Sequence, residues 1–230
     1  MKVQYITRQQ AREVDRRAIE EYACSGLVLM ENAGRACTDT LCELGVAGPV
    51  VICCGRGNNA GDGFVMARLL DIRGVAVQVL LLCNPNDLRG DAAANYAILT
   101  KCDLPIAVLD SADDERFEQA LVGADWIVDT LLGTGARGEP RPPFDGVIRR
   151  LNDHSANRMA VDLPSGLDCD TGEPAKITFR ADHTCTFVAA KAGFAAETAK
   201  EFIGAVHVLG IGAPRKLMEE MGILRGDWER

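Results

Sequence analysis

The rhythm of apolar and polar positions changes near residue 45. Before it the spacing is helical. Thr7-Arg8-Gln9-Gln10 reads as a capping box that opens a first helix running to about Tyr22. A second helix is expected over 26–44, with Leu27, Met30, Ala33, Cys37 and Leu41 along one face. After residue 45, short runs that are apolar at every position alternate with helical stretches. Strands are expected over 49–54, 75–82, 105–109, 126–132 and 159–163, and helices over 63–70, 91–101, 113–121 and 144–152. Two later runs, 184–189 and 205–209, read as strands with little helix between them.

Strands apolar on both faces and separated by helices belong to a mostly parallel sheet covered on each side. The expected fold is therefore α/β in three layers: a mostly parallel central sheet, helices on both faces, and two N-terminal helices on or beside it. No repeat, long linker or charge block interrupts 1–230, so a single domain is expected. The mixed tail over 217–230, with Trp228, is expected to pack on the domain or on a partner subunit.

Composition narrows the function classes. Hydrophobic residues are 47% and charged residues 25% of the 230, which is globular and not disordered. Lys and Arg number 25 against 33 Asp and Glu, a formal charge of −8, which disfavours nucleic acid and anionic membrane as partners. A local anion pocket is still compatible with that average. The 9 cysteines are odd in number, lack any C-x-x-C and partly lie in apolar runs, as expected of buried thiols in a reducing compartment. His154, His183 and His207 stand apart in sequence, so no zinc cluster is expected. The N-terminal residues lack the apolar core of a signal peptide, and no run reaches membrane-spanning length. A cytoplasmic protein is expected.

Ligands of open parallel sheets sit outside the carboxyl ends of the strands, and the candidate chemistry falls there. After the first long strand comes Gly55-Arg56-Gly57-Asn58-Asn59-Ala60-Gly61-Asp62-Gly63, a glycine loop expected to lead into a helix whose free N–H groups could meet an anion. It also fits the dinucleotide fingerprint G-x-G-x-x-G/A, but the acid expected after the next strand is replaced by Leu82-Cys83-Asn84, and Asp87 comes late for that role. Asp129 precedes a second loop, Gly133-Thr134-Gly135-Ala136-Arg137-Gly138-Glu139. Asp162 precedes Leu163-Pro164-Ser165-Gly166-Leu167-Asp168. Two strand-end aspartates beside two glycine loops favour a site over two ordinary turn caps. Arg56 and Arg137 could meet phosphates or be simply exposed. Lys191 follows an apolar run and could enter the site or be solvated.

Taken with Leu29-Met30-Glu31-Asn32-Ala33-Gly34, Asn86-Asp87-Leu88-Arg89-Gly90, Asp170-Thr171-Gly172 and Lys191-Ala192-Gly193, these segments resemble, in order, the NAD(P)H-hydrate epimerase family. The resemblance implies a Rossmann-like, commonly dimeric isomerase. It would interconvert the R and S epimers of hydrated NADH and NADPH (NADHX and NADPHX), with the nicotinamide as substrate and not as redox cofactor. It also implies one potassium ion held by Asn59, Asp129 and Ser165. Substrate would contact Asn58, Asn59, Ala60, Gly61, Asp62, Gly133, Thr134, Gly135, Ala136, Arg137, Gly138, Glu139 and Asp162. Asp162 is expected as the acid–base group, with Lys191 as proton donor or support. Ala60 stands where the family usually has glycine, which predicts either that position 60 avoids positive φ or that the loop is reshaped. Rival readings are a non-catalytic nucleotide- or protein-binding module on the same fold, such as the RNA-decapping scaffolds, and an NAD-dependent oxidoreductase. A chain of this length leaves no room for the dehydratase domain many relatives carry, so a separate dehydratase is expected as its functional partner.

Overall fold

The computed structural model describes residues 4–223. In chain order the elements are β1 (Tyr5–Ile6), α1 (Arg8–Glu20), α2 (Gly26–Leu44), β2 (Val50–Cys54), α3 (Asn58–Ile72), β3 (Val77–Leu81), α4 (Gly90–Leu99), β4 (Ile106–Val108) and α5 (Glu115–Leu121). There follow β5 (Trp126–Thr130), α6 (Phe144–Asp153), β6 (Asn157–Val161), β7 (His183–Phe187), β8 (Ala190–Lys191), α7 (Lys200–Ile203), β9 (Ala205–Leu209) and α8 (Arg215–Glu220). Seven strands form a parallel sheet in the order β4-β3-β2-β5-β6-β7-β9. The chain moves outward from β2 to β4, then crosses back to place β5 beside β2, so the order reverses between those two strands. A crevice opens at such a reversal, beyond the carboxyl ends of the strands.

The continuous apolar runs are explained by burial on both faces. One face of the sheet packs Cys37 and Leu41 of α2 and Phe64, Met66 and Leu70 of α3 against Ile52, Val79 and Val128. The other packs Phe117 of α5 and Val147, Ile148 and Leu151 of α6 against Val51, Leu80 and Ile127. The first helix lies to one side: Val14 and Ala18 meet Leu217 and Met218 of α8 in a separate cluster. Its N-terminus carries the full capping box, Thr7 accepting from the Gln10 N–H and Gln10 reaching back to Thr7. Residues 224–230 of the expected packing tail lie outside the described residues.

Several expectations need correction. Leu27 is 42% exposed, and Leu29 takes its place in the core. The helix expected from residue 63 starts at Asn58, so most of the first glycine segment is helical. Among residues 55–63 no positive φ occurs, Ala60 included. These glycines serve close approach instead: a Cβ on Gly61 would lie 2.4 Å from Met30 Sδ, and one on Gly55 2.0 Å from the Leu131 carbonyl oxygen. The pairing of β1 with β8, Tyr5 beside Ala190 and Ile6 beside Lys191, has no signal in runs of two residues. Two of the histidines expected to stand alone do not: His183 Nδ1 and His207 Nε2 are 3.1 Å apart across β7 and β9.

Gly63 seats α3 on the sheet, since a Cβ there would fall 2.6 Å from Thr130 Oγ1 and 3.0 Å from Cys54 Sγ, both buried. Gly63→Ala should therefore lower the unfolding free energy by about 1–3 kcal/mol, the usual cost of overpacking. Urea titration would measure it; a variant as stable as the parent would mean that α3 does not need that contact.

Candidate functional site

The parallel strands deliver their carboxyl ends to one side, and the charged groups buried in the fold gather there. Beyond β6 and β7 the chain turns abruptly in the same way twice. The Leu163 N–H donates to the Val161 carbonyl, with Asp162 between them at φ +69°; the Ala189 N–H donates to the Phe187 carbonyl, with Val188 at φ +72°. Such positive-φ positions cost non-glycine residues about 1–3 kcal/mol and concentrate at functional sites. The first turn aims Asp162 across the strand ends. The second redirects the chain into β8, which carries Lys191.

Lys191 is 1% exposed. Its Nζ lies 3.1 Å from Asp162 Oδ1 and donates to the Phe187 carbonyl at 3.2 Å. The other carboxylate oxygen, Asp162 Oδ2, accepts from the Thr134 N–H at 2.9 Å. Asp162 is thereby fixed between the lysine and the second glycine loop. Gly133 leaves room for this arrangement, since a Cβ there would be 3.2 Å from both Asp162 Oδ2 and Asn59 Cβ and would press on them.

Behind this pair a second set of polar groups ties three loops together. Asp129, at the end of β5, accepts from the Ser165 N–H and Ser165 Oγ at 2.8 Å each and from the Leu131 N–H at 3.0 Å. Complete burial pushes its carboxyl up to about 6, while those hydrogen bonds pull the other way. The Leu132 N–H in turn donates to Ser165 Oγ. Asn59, in the first turn of α3, donates through Nδ2 to the Leu132 and Val161 carbonyls at 3.0 and 3.1 Å. Its Oδ1 is buried without a partner. Among the described residues no three His, Cys, Asp or Glu side chains form a metal-binding group.

These residues border a cavity of about 890 Å³. Asn58, Asn59, Asp62, Asp162, Lys191 and the whole loop from Gly133 to Glu139 line it. Ala60 and Gly61 do not: the helical twist turns Ala60 into the core and Gly61 onto Met30. Asp129 and Ser165 lie beneath the wall. Asp62 is buried, and burial followed by the nearness of Asp162 and Asp15 holds its carboxyl well above the carboxylate range.

Sequence reasoning missed one wall altogether. Arg12 and Asp15 of α1 line the cavity, Arg12 reaching the second glycine loop near Gly135. Their i, i+3 spacing is the signal, but it is the same spacing as any solvated helical face. The accessible surface of Asp15 opens into the cavity. Loss of bulk hydration there, then Asp162, pushes its carboxyl up to about 6 against the opposing pull of Lys191.

Because the folded-state pKa of Asp15 lies above its ordinary 3.8, ionising it disfavours the fold. That penalty is absent below about pH 4, grows as pH rises to about 6, and stays constant above. Asp15→Asn should match the parent at pH 4 and melt at a higher temperature at pH 7–8. Parallel melting-temperature profiles for the two proteins would refute the assignment.

The comparisons with known proteins agree with this site in extent. The chain matches the family described as YjeF-related protein N-terminus over residues 26–193. It is 46% identical to an NAD(P)H-hydrate epimerase of Pirellula staleyi over 93% of this chain and 95% of that one. It is 42% identical to a protein of the same name from Rhodopirellula baltica, over 95% of this chain and 88% of the other. The bifunctional NAD(P)H-hydrate repair enzyme of Moorella thermoacetica is 38% identical, and there the match spans 41% of the longer chain. A crystal structure of the yeast protein ynu0 superposes with a TM-score of 0.84 over 99% of this chain and 97% of that one, at 22% identity, which establishes a shared fold. From the first strand-end loop to Lys191, the segments that build the cavity floor fall inside the matched span, and the chain belongs to the YjeF-related N-terminal family.

Proposed function

We propose that this protein is an isomerase that epimerises hydrated NADH and NADPH, interconverting their R and S forms in nicotinamide nucleotide repair. The reading rests on the family membership and on one observation, the buried Lys191–Asp162 pair at the floor of an open cavity. In the hydrate, a hydroxyl sits on the ring carbon next to the nitrogen. The nitrogen lone pair can expel it, leaving an iminium, and water returning to the other face gives the other epimer. The departing oxygen needs a proton, the returning water needs a base, and the cation needs anionic surroundings. Asp162 can relay the proton of the Lys191 ammonium to the departing hydroxyl and recover one from the returning water, with Lys191 and the Thr134 N–H holding its two oxygens in place. Lys191 holds Asp162 in place and can supply a proton. Asp15 and Asp62 add carboxyl groups to the same cavity.

The same reading gives the protein one potassium ion, and the oxygen chemistry beneath the wall supports it. Asn59 Oδ1 is buried without a partner, and Asn59, Asp129 and Ser165 belong to one hydrogen-bonded set with the Leu132 and Val161 carbonyls. A set with oxygen donors alone and one carboxylate suits a hard, weakly charged cation. Bound there, the ion would supply positive charge beside Asp129 and hold the three strand-end loops in register. A homodimer, a single domain over the whole chain, a cytoplasmic setting and a separate dehydratase belong to the same reading. The buried, unpaired thiols Cys37, Cys53, Cys54, Cys169 and Cys185 support a reducing compartment.

Chemically prepared R-NADHX and R-NADPHX should be brought to equilibrium with their S epimers much faster than in buffer. Asp162→Asn should slow this by about 10²–10⁴-fold, the range for losing an acid–base group, with an unchanged far-UV spectrum. No acceleration by the parent protein, or full activity in the variant, would sink the mechanism. For the ion, potassium chloride should raise the melting temperature of the parent more than choline chloride does. Asn59→Ala should lose that difference; equal responses in both proteins would remove the ion from the reading.

A further inference from the structure

Several described cations have no ion pair, Lys101, Arg149 and Lys176 among them, but four arginines without one share a single cavity. Arg16, Arg17, Arg68, Arg73 and Arg150 are each engaged by carboxylates, as expected in a chain with an excess of acids. Arg12, Arg56, Arg137 and Arg141 have no side-chain partner among the described residues, and all four line the one cavity. They come from three separate places: α1, the loop after β2, and the second glycine loop with the residues just after it. Guanidinium groups left unpaired in an acidic protein and turned to one cavity are poised for an anion from outside, above all phosphate, which they grip in bidentate fashion.

Building on the proposed function, we infer that these four arginines form the phosphate cradle of the substrate, and that Arg56 selects a 2′-phosphorylated dinucleotide. The order along the cavity follows from the topology. The reacting ring belongs over β6 and β8, beside Asp162 and Lys191. The diphosphate then falls at the reversal between β2 and β5, where Gly57 opens α3 without a side-chain cap and leaves first-turn N–H groups available. Arg12, Arg137 and Arg141 border that stretch. The adenosine ribose is carried on toward the end of β3. An enzyme that reads a free 2′-hydroxyl places an acid directly after that strand, whereas an arginine nearby accommodates a 2′-phosphate. Here Leu82, Cys83 and Asn84 follow β3, Cys83 Sγ lies 3.6 Å from the carbonyl of Gly55, and Arg56, next in the chain, lines the same cavity. Asp87 lines it too. It is the group against which Arg56 must win.

The test is calorimetric binding of ADP-ribose and 2′-phospho-ADP-ribose, neither of which carries the reacting ring. The parent should bind the phosphorylated ligand at least about tenfold more tightly, as one charge-assisted contact implies. Arg56→Gln should erase that ratio. Arg12→Gln, Arg137→Gln and Arg141→Gln should each weaken both ligands alike, and Asp87→Asn should widen the ratio. Equal affinity of the parent for the two ligands, or a ratio that survives Arg56→Gln, overturns the selectivity; triple replacement of Arg12, Arg137 and Arg141 without loss of affinity overturns the cradle. Because the ligands lack the ring, a protein that binds them as expected yet epimerises nothing would refute the proposed reaction and leave the cradle standing.

Discussion

An ammonium group with almost no access to water must keep a carboxylate, and much of this molecule is arranged around that requirement. Lys191 is buried beside Asp162. Removing either partner would leave the other as an uncompensated buried charge, a loss of about 3–5 kcal/mol in comparable pairs. The pair therefore constrains its neighbours. Two tight positive-φ turns bring the residues together, a glycine leaves room for the carboxylate, and a backbone N–H fixes the carboxylate's second oxygen. Two further carboxyl groups, Asp15 and Asp62, line the same cavity. Loss of hydration and the nearness of Asp162 push both above the ordinary carboxylate range, which favours their protonated forms.

The second organising element is neutral. Asn59 bridges the loops after β5 and β6 from the first turn of α3, and Asp129 with Ser165 fastens the same two loops from below. The ends of three adjacent strands, β2, β5 and β6, thus converge on one small polar knot. Asp162, the partner of Lys191, directly follows one of these strands, and Arg56 stands on the loop after another. A shift in any one strand end would be felt at both.

Much of this was legible in the sequence. The parallel sheet followed from runs that are apolar at every position, and the edge that carries Asp129 and Asp162 followed from where those runs stop. The position of the second glycine loop on the cavity wall followed from the same rule. What escaped was of two kinds. The glycines of 55–63 look like a turn, because composition cannot distinguish a glycine chosen for its dihedral angles from one chosen because another segment of the chain passes 2–3 Å from where its Cβ would be. The residues of α1 that reach the site, Arg12 and Asp15, carry the periodicity of an ordinary exposed face. Contacts between distant segments leave no local trace, and the pairing of β1 with β8 is one such case.

That pairing decides when the site can come into existence. Ile6 is the ladder neighbour of Lys191, so the strand that presents the lysine is registered against the opposite end of the chain. The central strands join through short crossovers and can assemble early. Closing a loop that contains nearly the whole polypeptide carries a larger entropic cost, and contacts of such sequence separation form late. A nascent chain can thus bury most of its core before the ammonium group is in place.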